Sequence, residues 1–326
     1  MKAGNLSKWL IGVVVLTLIL ANLPVGNSED GEESVDPNCF TDVTPGTYHY
    51  VAICELKNWG IINGYEDGSF HPDQMVNRAE AMKMLTIATG AYTDDLLNEN
   101  QILEAPFVDT PLTEWYTPYL SIAKNQNIIQ GYEDGTYRPE QNISLVEATK
   151  IYVELLPVEP VYPENLGDYQ YDDTPTNEWY AKYVAYGNIR TAFNVDPMNQ
   201  RLGIIIPNQE MTRGHVAELI YRMKAFGAGY KFGKASYYGA AVQGNNTASG
   251  ETFNMYDYTA AHPSLPFGTV VEVTNLNNGK SVEVRITDRG PYWPGRVIDL
   301  TSSAFDQIAS LGAGLTYVQY KVVSTP

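Results

Sequence analysis

Through the middle of the chain, apolar residues recur at three- and four-residue spacing. In Trp115–Asn127 the positions Tyr116, Tyr119, Leu120 and Ala123 line one face, which predicts an amphipathic helix. Arg78 to Thr89 predicts another, opened by Asn77 as N-cap with Glu80 at N3 and closed by Gly90. Ser144 with Glu147 marks a further helix start as a capping box. Past Phe226-Gly227-Ala228-Gly229 the period drops to two. Thr269–Thr274 and Ser281–Ile286 alternate on either side of Asn277-Asn278-Gly279-Lys280, a hairpin signal, and Tyr317–Val323 predicts a closing strand. Ser302–Leu311 is the helical stretch of this part, so its many short strands predict a small closed β-barrel. At the start of the chain, Lys2 and Lys8 precede the apolar run Trp9–Leu20, and polar Asn27-Ser28-Glu29-Asp30 follows. That pattern predicts a secretory signal over residues 1–28, because the run falls short of the about 20 residues a spanning helix takes. It also fits an uncleaved anchor.

The helical part repeats itself. Gly64-Tyr65-Glu66-Asp67-Gly68-Ser69-Phe70-His71-Pro72 returns 67 residues later as Gly131-Tyr132-Glu133-Asp134-Gly135-Thr136-Tyr137-Arg138-Pro139. The same offset joins Phe40-x-Asp42 to Phe107-x-Asp109 and Glu80-Ala81-x-Lys83 to Glu147-Ala148-x-Lys150. A third copy is eroded. Tyr171-Asp172-Asp173-Thr174-Pro175 and Glu178-Trp179-Tyr180 match Phe107–Pro111 and Glu114–Tyr116, but the Gly-Tyr-Glu-Asp-Gly element is missing and Asn194 to Ile206 stands in its place. Each copy reads as helix, turn, helix.

These residues resemble the S-layer homology (SLH) repeat, which is marked by Phe-x-Asp, the Gly-Tyr-x-Asp-Gly turn and a Thr-Arg-Ala-Glu helix start. The resemblance implies three α-rich helix-turn-helix units, at residues 39–90, 105–157 and 170–226, arranged as a prism. It also implies that the grooves between units hold a secondary cell-wall polymer, often one carrying pyruvyl groups. Arg78 and Arg213 occupy the arginine position of the helix start, where a guanidinium pairs well with a carboxylate. The middle copy has Leu145 there. Both arginines also fit as braces of their own helices.

Charge separates the two parts. Residues 230–326 carry seven Lys/Arg and seven Asp/Glu, so the whole net charge of −17 lies upstream. Such an acidic surface repels nucleic acid. The shift places a flexible junction at 227–233 and a separate domain at 234–324. Cys39 and Cys54, fifteen positions apart, suit an oxidising compartment and fit either a disulfide or two buried thiols. Four scattered histidines and no cysteine pair at zinc spacing predict no metal site, and no cofactor or integral membrane partner is expected.

Four clusters carry the chemistry of the C-terminal part: Lys234–Gly239, Thr247–Glu251, Ala260–Gly268, and Asp288-Arg289-Gly290-Pro291 with Arg296–Leu300. Together they resemble the RlpA-like double-psi β-barrel, the rare lipoprotein A family of lytic transglycosylases. The resemblance implies a six-stranded all-β barrel that cleaves peptidoglycan glycan strands, preferably peptide-free, to a 1,6-anhydro-muramic product. By motif position the family's functional residues fall on Glu251, His262 and Asp288, with Asp299 in reserve. Tyr237 stands where the family usually has Trp and supplies an aromatic face, with Tyr238 and Arg289 beside it for the glycan. Cleavage of a glycosidic bond needs a proton donor and stabilisation of positive charge on the ring, which carboxylates in loops provide. The expected whole is an exported cell-surface enzyme held in the wall by its repeats. An expansin-like wall loosener that binds without cleaving is the alternative, as is a structural surface-layer component. The end of the chain at Pro326 leaves no room for an expansin's second glycan domain.

Overall fold

The computed structural model describes residues 39–92, 104–193, 203–293 and 295–326. The expected signal segment and residues 194–202 of the third copy lie outside them. Among the described residues, six α-helices form the N-terminal part: α1 (Tyr50–Asn58), α2 (Arg78–Thr89), α3 (Thr117–Asn125), α4 (Leu145–Glu154), α5 (Ala181–Ile189) and α6 (Arg213–Gly227). They make three helix-turn-helix units. Asn77 and Ser144 close capping boxes with Glu80 and Glu147, and Thr212 does so with His215.

The three units are tied by a ring of backbone hydrogen bonds. Val76 N donates to Met211 O, Met211 N to Ile143 O and Ile143 N to Val76 O, each at 3.0 Å. Each of these residues lies two positions before a helix start, so the ring sets α2, α4 and α6 side by side at the centre. Each central helix then packs on the first helix of the next unit: α2 on α3, α4 on α5, α6 on α1. Apolar burial holds the assembly, with Leu85, Leu120, Ile143 and Ile220 fully enclosed.

One aspartate fixes the turn in each unit. Asp42 accepts from the backbone N–H of Phe70 and His71, Asp109 from Tyr137 and Arg138, and Asp173 from Ile205 and Ile206. The turn needs a left-handed residue, supplied by Gly68 (φ 81°), Gly135 (φ 79°) and Gly203 (φ 68°). The third unit therefore keeps the second half of the turn motif as Gly203-Ile204-Ile205-Ile206-Pro207, which the sequence reading takes to be missing. Only a positive φ and an apolar anchor are required there, and three isoleucines disguise both. Cys39 and Cys54 are joined by a disulfide that ties the start of the first unit to α1.

Residues from Lys231 onward form a closed six-stranded double-psi barrel: β1 (Lys231–Tyr238), β2 (Thr259–Ala261), β3 (Val270–Asn275), β4 (Ser281–Asp288), β5 (Arg296–Thr301) and β6 (Thr316–Ser324), in the order β1-β5-β2-β4-β3-β6. The β1/β5 and β2/β4 pairs are parallel. Helix α7 (Ser302–Ile308) sends Phe305 and Ile308 into the barrel core beside Ile286, Ile298 and Leu300.

The junction is shorter and tighter than expected. With α6 ending at Gly227 and β1 starting at Lys231, only residues 228–230 connect them. Phe232 is buried in the helical core rather than in the barrel, and the Arg222 guanidinium lies 4.7 Å from its ring centre. Tyr221 donates its hydroxyl to Gln319 Oε1 at 2.7 Å, and Gly46 N donates to Asn277 O at 2.7 Å. The predicted linker 227–233 is thus a turn followed by a docked strand, because its apolar Phe232 finds a pocket between the two parts. Among the described residues no helix is long and apolar enough to cross a membrane.

Candidate active site and wall-binding grooves

Strand register assembles the site. Ser236 on β1 pairs with Asp299 on β5, Asp299 with Ala261 on β2, and Ala261 with Asp288 on β4. Residues directly opposite share a face of the sheet. The neighbouring row Ala235, Ile298, Leu300, Ala260 and Ile286 is fully buried in the core, so the Ser236–Asp299–Ala261–Asp288 row faces outward. Register shifts at Lys234/Ala235 and Ala260/Ala261 make this possible, since without the second Asp288 would point inward. Two strand spacings separate the backbones of Asp288 and Asp299, about 10 Å.

Asp288 is oriented by the backbone. Its Oδ1 accepts from Ala248 N and Arg289 N, both at 2.9 Å, and Oδ2 makes no hydrogen bond with a described residue. Asp299 is saturated: Ser236 Oγ donates to Oδ1 at 2.5 Å and Arg296 Nη2 to Oδ2 at 3.0 Å. Burial raises its pKa, and the serine and the arginine oppose that rise. Tyr238, on the same face two residues past Ser236, stacks on Phe253. Burial and then the charges of Asp288 and Asp299 push its hydroxyl pKa well up, so it stays protonated. That hydroxyl and Thr287 Oγ1 are buried with no partner among the described residues.

The other expected residues sit elsewhere or play other parts. Glu251 is exposed and held by both oxygens to Arg285, at 2.7 and 2.8 Å, which lowers its pKa and unsuits it to donate a proton. His262 is buried. Its Nδ1 accepts from Ser264 N and Leu265 N, which assigns the ring proton to Nε2, 2.9 Å from Tyr320 Oη. Burial and then Arg289 lower its pKa to about 4. With both ring nitrogens engaged, it has none left for a substrate, which corrects its expected place among the catalytic groups, while its backbone N–H donates to Asp288 O at 3.1 Å. Tyr237 alternates inward and, half-buried, packs on Phe305 at 5.0 Å. Arg289 lies 3.7 Å over the Phe267 ring and donates to the carbonyls of His262 and Asp288.

Exposed aromatics instead stand just past Asp288, at Tyr292 (80% exposed) and Trp293 (72%). The sequence reading passed over them, although a Tyr-Trp pair flanked by prolines is a detectable signal. It also missed Arg285 and Arg296 as carboxylate partners, which only the register brings into reach.

The helical part carries two equivalent grooves. One, of about 490 Å³, is lined by Arg78, Tyr132, Glu147, Lys150, Trp179 and Lys182 among others. Arg78 is buried, donates to Tyr137 O at 3.0 Å and pairs with Glu147 at 2.5 Å. The other, of about 290 Å³, is lined by Tyr65, Glu80, Lys83, Trp115 and Arg213 among others. Arg213 donates to Phe70 O at 2.8 Å and pairs with no carboxylate among the described residues. Glu80 and Glu147 are engaged by backbone N–H groups at Asn77 and Ser144, so lysine and arginine dominate both crevices.

Comparison with known proteins finds a likeness for each part. Residues 230–320 match the family model described as lytic transglycolase, and residues 40–82 and 106–149 match the S-layer homology domain. Among curated proteins, the chain is similar to the probable endolytic peptidoglycan transglycosylase RlpA of Treponema pallidum, 57% identical over 26% of this chain and 27% of that one. It is also similar to the endolytic peptidoglycan transglycosylase RlpA of Vibrio cholerae, 43% identical over 34% of this chain and 41% of the relative. The chain therefore spans only about a quarter to two-fifths of the relatives it matches. A Streptomyces papain inhibitor structure aligns with 29% of the chain at 27% identity and a TM-score of 0.26, a likeness too slight to carry an argument.

Proposed function

We propose that the chain is a cell-wall lytic transglycosylase anchored at the bacterial surface by its helical units. The observation that carries this reading is the outward row from Ser236 to Asp288, in which one carboxyl oxygen of Asp288 is fixed and the other is unengaged. Asp288 is the acid and base. It protonates the glycosidic oxygen as the C1–O bond breaks, and its carboxylate then takes the proton of the muramic C6 hydroxyl as O6 closes on C1. The proton returns to Asp288, the product is a 1,6-anhydro sugar, and no water is consumed. The carboxylates of Asp288 and Asp299 stabilise positive charge on the ring. Tyr292 and Trp293 supply the stacking face assigned above to Tyr237. The substrate is peptidoglycan glycan, preferably stripped of its peptides.

The third helical unit is an eroded S-layer homology copy. Gly203, Asp173 and its place in the backbone ring support that assignment. The two cationic grooves hold an anionic secondary wall polymer, with Arg213 the freer of the two arginines. Anchoring raises the local concentration of glycan at the barrel.

Digestion of sacculi, with and without amidase pretreatment, tests the enzyme. Anhydro-muropeptides detected by mass spectrometry are expected from the native chain, more after amidase, and a loss of about 10² or more is expected with Asp288→Asn. No anhydro product from the native chain in either case would leave an expansin-like binder. Polymer pull-down tests the anchor, with Arg213→Ala expected to weaken capture more than any other single groove substitution.

A further inference from the structure

A second crevice on the barrel, of about 540 Å³, is lined by Tyr256, Asp257, Tyr258, Ser303, Asp306 and Gln307. It lies outside the four clusters on which the enzyme reading rests. Strand β2 connects it to the site. Ala261 sits between Asp288 and Asp299, and Tyr258 lies three residues before it, about 10 Å along the strand. Between them stands the Glu251–Arg285 pair, whose Arg285 N–H donates to Tyr258 O at 3.1 Å. Tyr256 is 71% exposed and Tyr258 47%. The backbone beneath them is fixed, since Thr301 Oγ1 donates to Asp257 O at 2.6 Å and Ser303 N to Met255 O at 3.2 Å. Ser303, Asp306 and Gln307 share one face of α7 at the i, i+3 and i+4 positions. The side chains of Asp306 and Gln307 have no partner among the described residues.

We infer that this shelf is a distal subsite for the glycan strand whose cleavage is proposed at Asp288. Two phenol rings offer stacking faces for the apolar side of a sugar ring. Carboxylates and an amide offer acceptors and donors for its hydroxyls. Two aspartates and no cation line the crevice, so it disfavours the lactyl carboxylate of muramic acid and takes the neutral N-acetylglucosamine ring. A strand that reaches both the shelf and Asp288 gains affinity that a short oligosaccharide at Asp288 alone does not.

The test measures binding rather than turnover, on the full chain in an Asp288→Asn background so that long strands stay intact. The probes are peptide-free, polymer-free glycan strands and a muropeptide-free tetrasaccharide, titrated by calorimetry. Tyr256→Ala with Tyr258→Ala is expected to weaken long-strand binding by about tenfold, the equivalent of about 1.4 kcal/mol, and to leave the tetrasaccharide unchanged. Tyr256→Phe with Tyr258→Phe keeps the rings and is expected to retain most of the affinity. Asp306→Lys is expected to improve binding of strands enriched in free lactyl groups. Equal weakening on both probes, or none on either, would overturn the subsite. Failure to find anhydro product would remove the transglycosylase reading and leave this result standing, because no cleavage enters it.

Discussion

Among the described residues, two interfaces of the helical part are lined as grooves and the third holds a buried ion network, although the same backbone ring ties all three. Where α2 meets α3 and where α4 meets α5, an arginine, a lysine and an exposed tryptophan line a crevice. Where α6 meets α1, Leu145 replaces the arginine and Glu218 stands in register with Lys83 and Lys150. Glu218 is buried, 2.5 Å from Arg222 Nε and 3.2 Å from His49 Nδ1, so an internal ion network stands where the other two interfaces carry a groove lysine. The same helix carries Tyr221 and Arg222 against the barrel. The backbone ring makes the fold, and side chains decide whether an interface binds a ligand or bears a load. The helix that carries the buried network is the one that supports the second domain.

The sharpest way to break this contrast is to empty the filled interface. Glu218→Ala leaves Arg222 and His49 buried without their carboxylate and is expected to cost about 3–5 kcal/mol in urea unfolding. Lys83→Ala in an open groove is expected to change stability by no more than about 0.5 kcal/mol. Equal costs would show the third interface to be no more structural than the first. Phe232→Ala, which removes the ring shared by helix and barrel, is expected to cost about 3–5 kcal/mol. It should also split one unfolding transition into two, and a transition that stays single would mean the other contacts suffice for coupling.

Acid acts on both parts. Burial favours the neutral form of Glu218, but Arg222 and then His49 outweigh it and hold the pKa at about 2. That contribution is complete above the ordinary value of 4.5 and is lost as pH falls through about 2. His262 has its pKa lowered from 6.5 to about 4, so the unfolded chain binds the extra proton between those values. Its contribution is complete above 6.5 and is lost as pH falls to about 4, on the order of 2–3 kcal/mol. The pKa of His215 on α6 is likewise lowered to about 4, by burial and then His49. Both parts are therefore expected to lose stability between pH 6.5 and about 4, with His262→Gln flattening the barrel's share and His215→Gln that of the helical part. Amide exchange at pH 5 reads the two parts separately. The smallest effect is expected from Leu145→Arg, which restores the missing arginine but faces the occupied third interface. No gain in wall-polymer capture should follow, and a clear gain would mean that the groove is closed by that one residue.

Much of this was legible beforehand. The repeat period located the helices, since capping boxes at Asn77 and Ser144 depend only on neighbouring residues. The alternation of Ser281–Ile286 and the Asn-Asn-Gly turn likewise mark a hairpin within a few residues. The resemblance of the four polar clusters to a known family pointed to Asp288, with Asp299 in reserve. Less visible was the third turn, where Ile204-Ile205-Ile206 hid the glycine geometry, and the junction, where Gly227 and Gly229 read as flexible while Phe232 anchors the strand.

Local order therefore came from the chain itself: helix spacing, strand alternation, caps, the charge step near residue 230 and the candidate carboxylates. Tertiary structure decided how those groups are used. Two register shifts turned Asp288 outward into line with Asp299, a difference of one residue that reverses the face of a strand. Folding buried His262 with both nitrogens engaged, tied Glu251 to an arginine 34 residues away, and leaned Tyr237 against Phe305 at the edge of the core. Each outcome depends on which distant residues come within a few ångströms, and pairing across strands and units sets that distance.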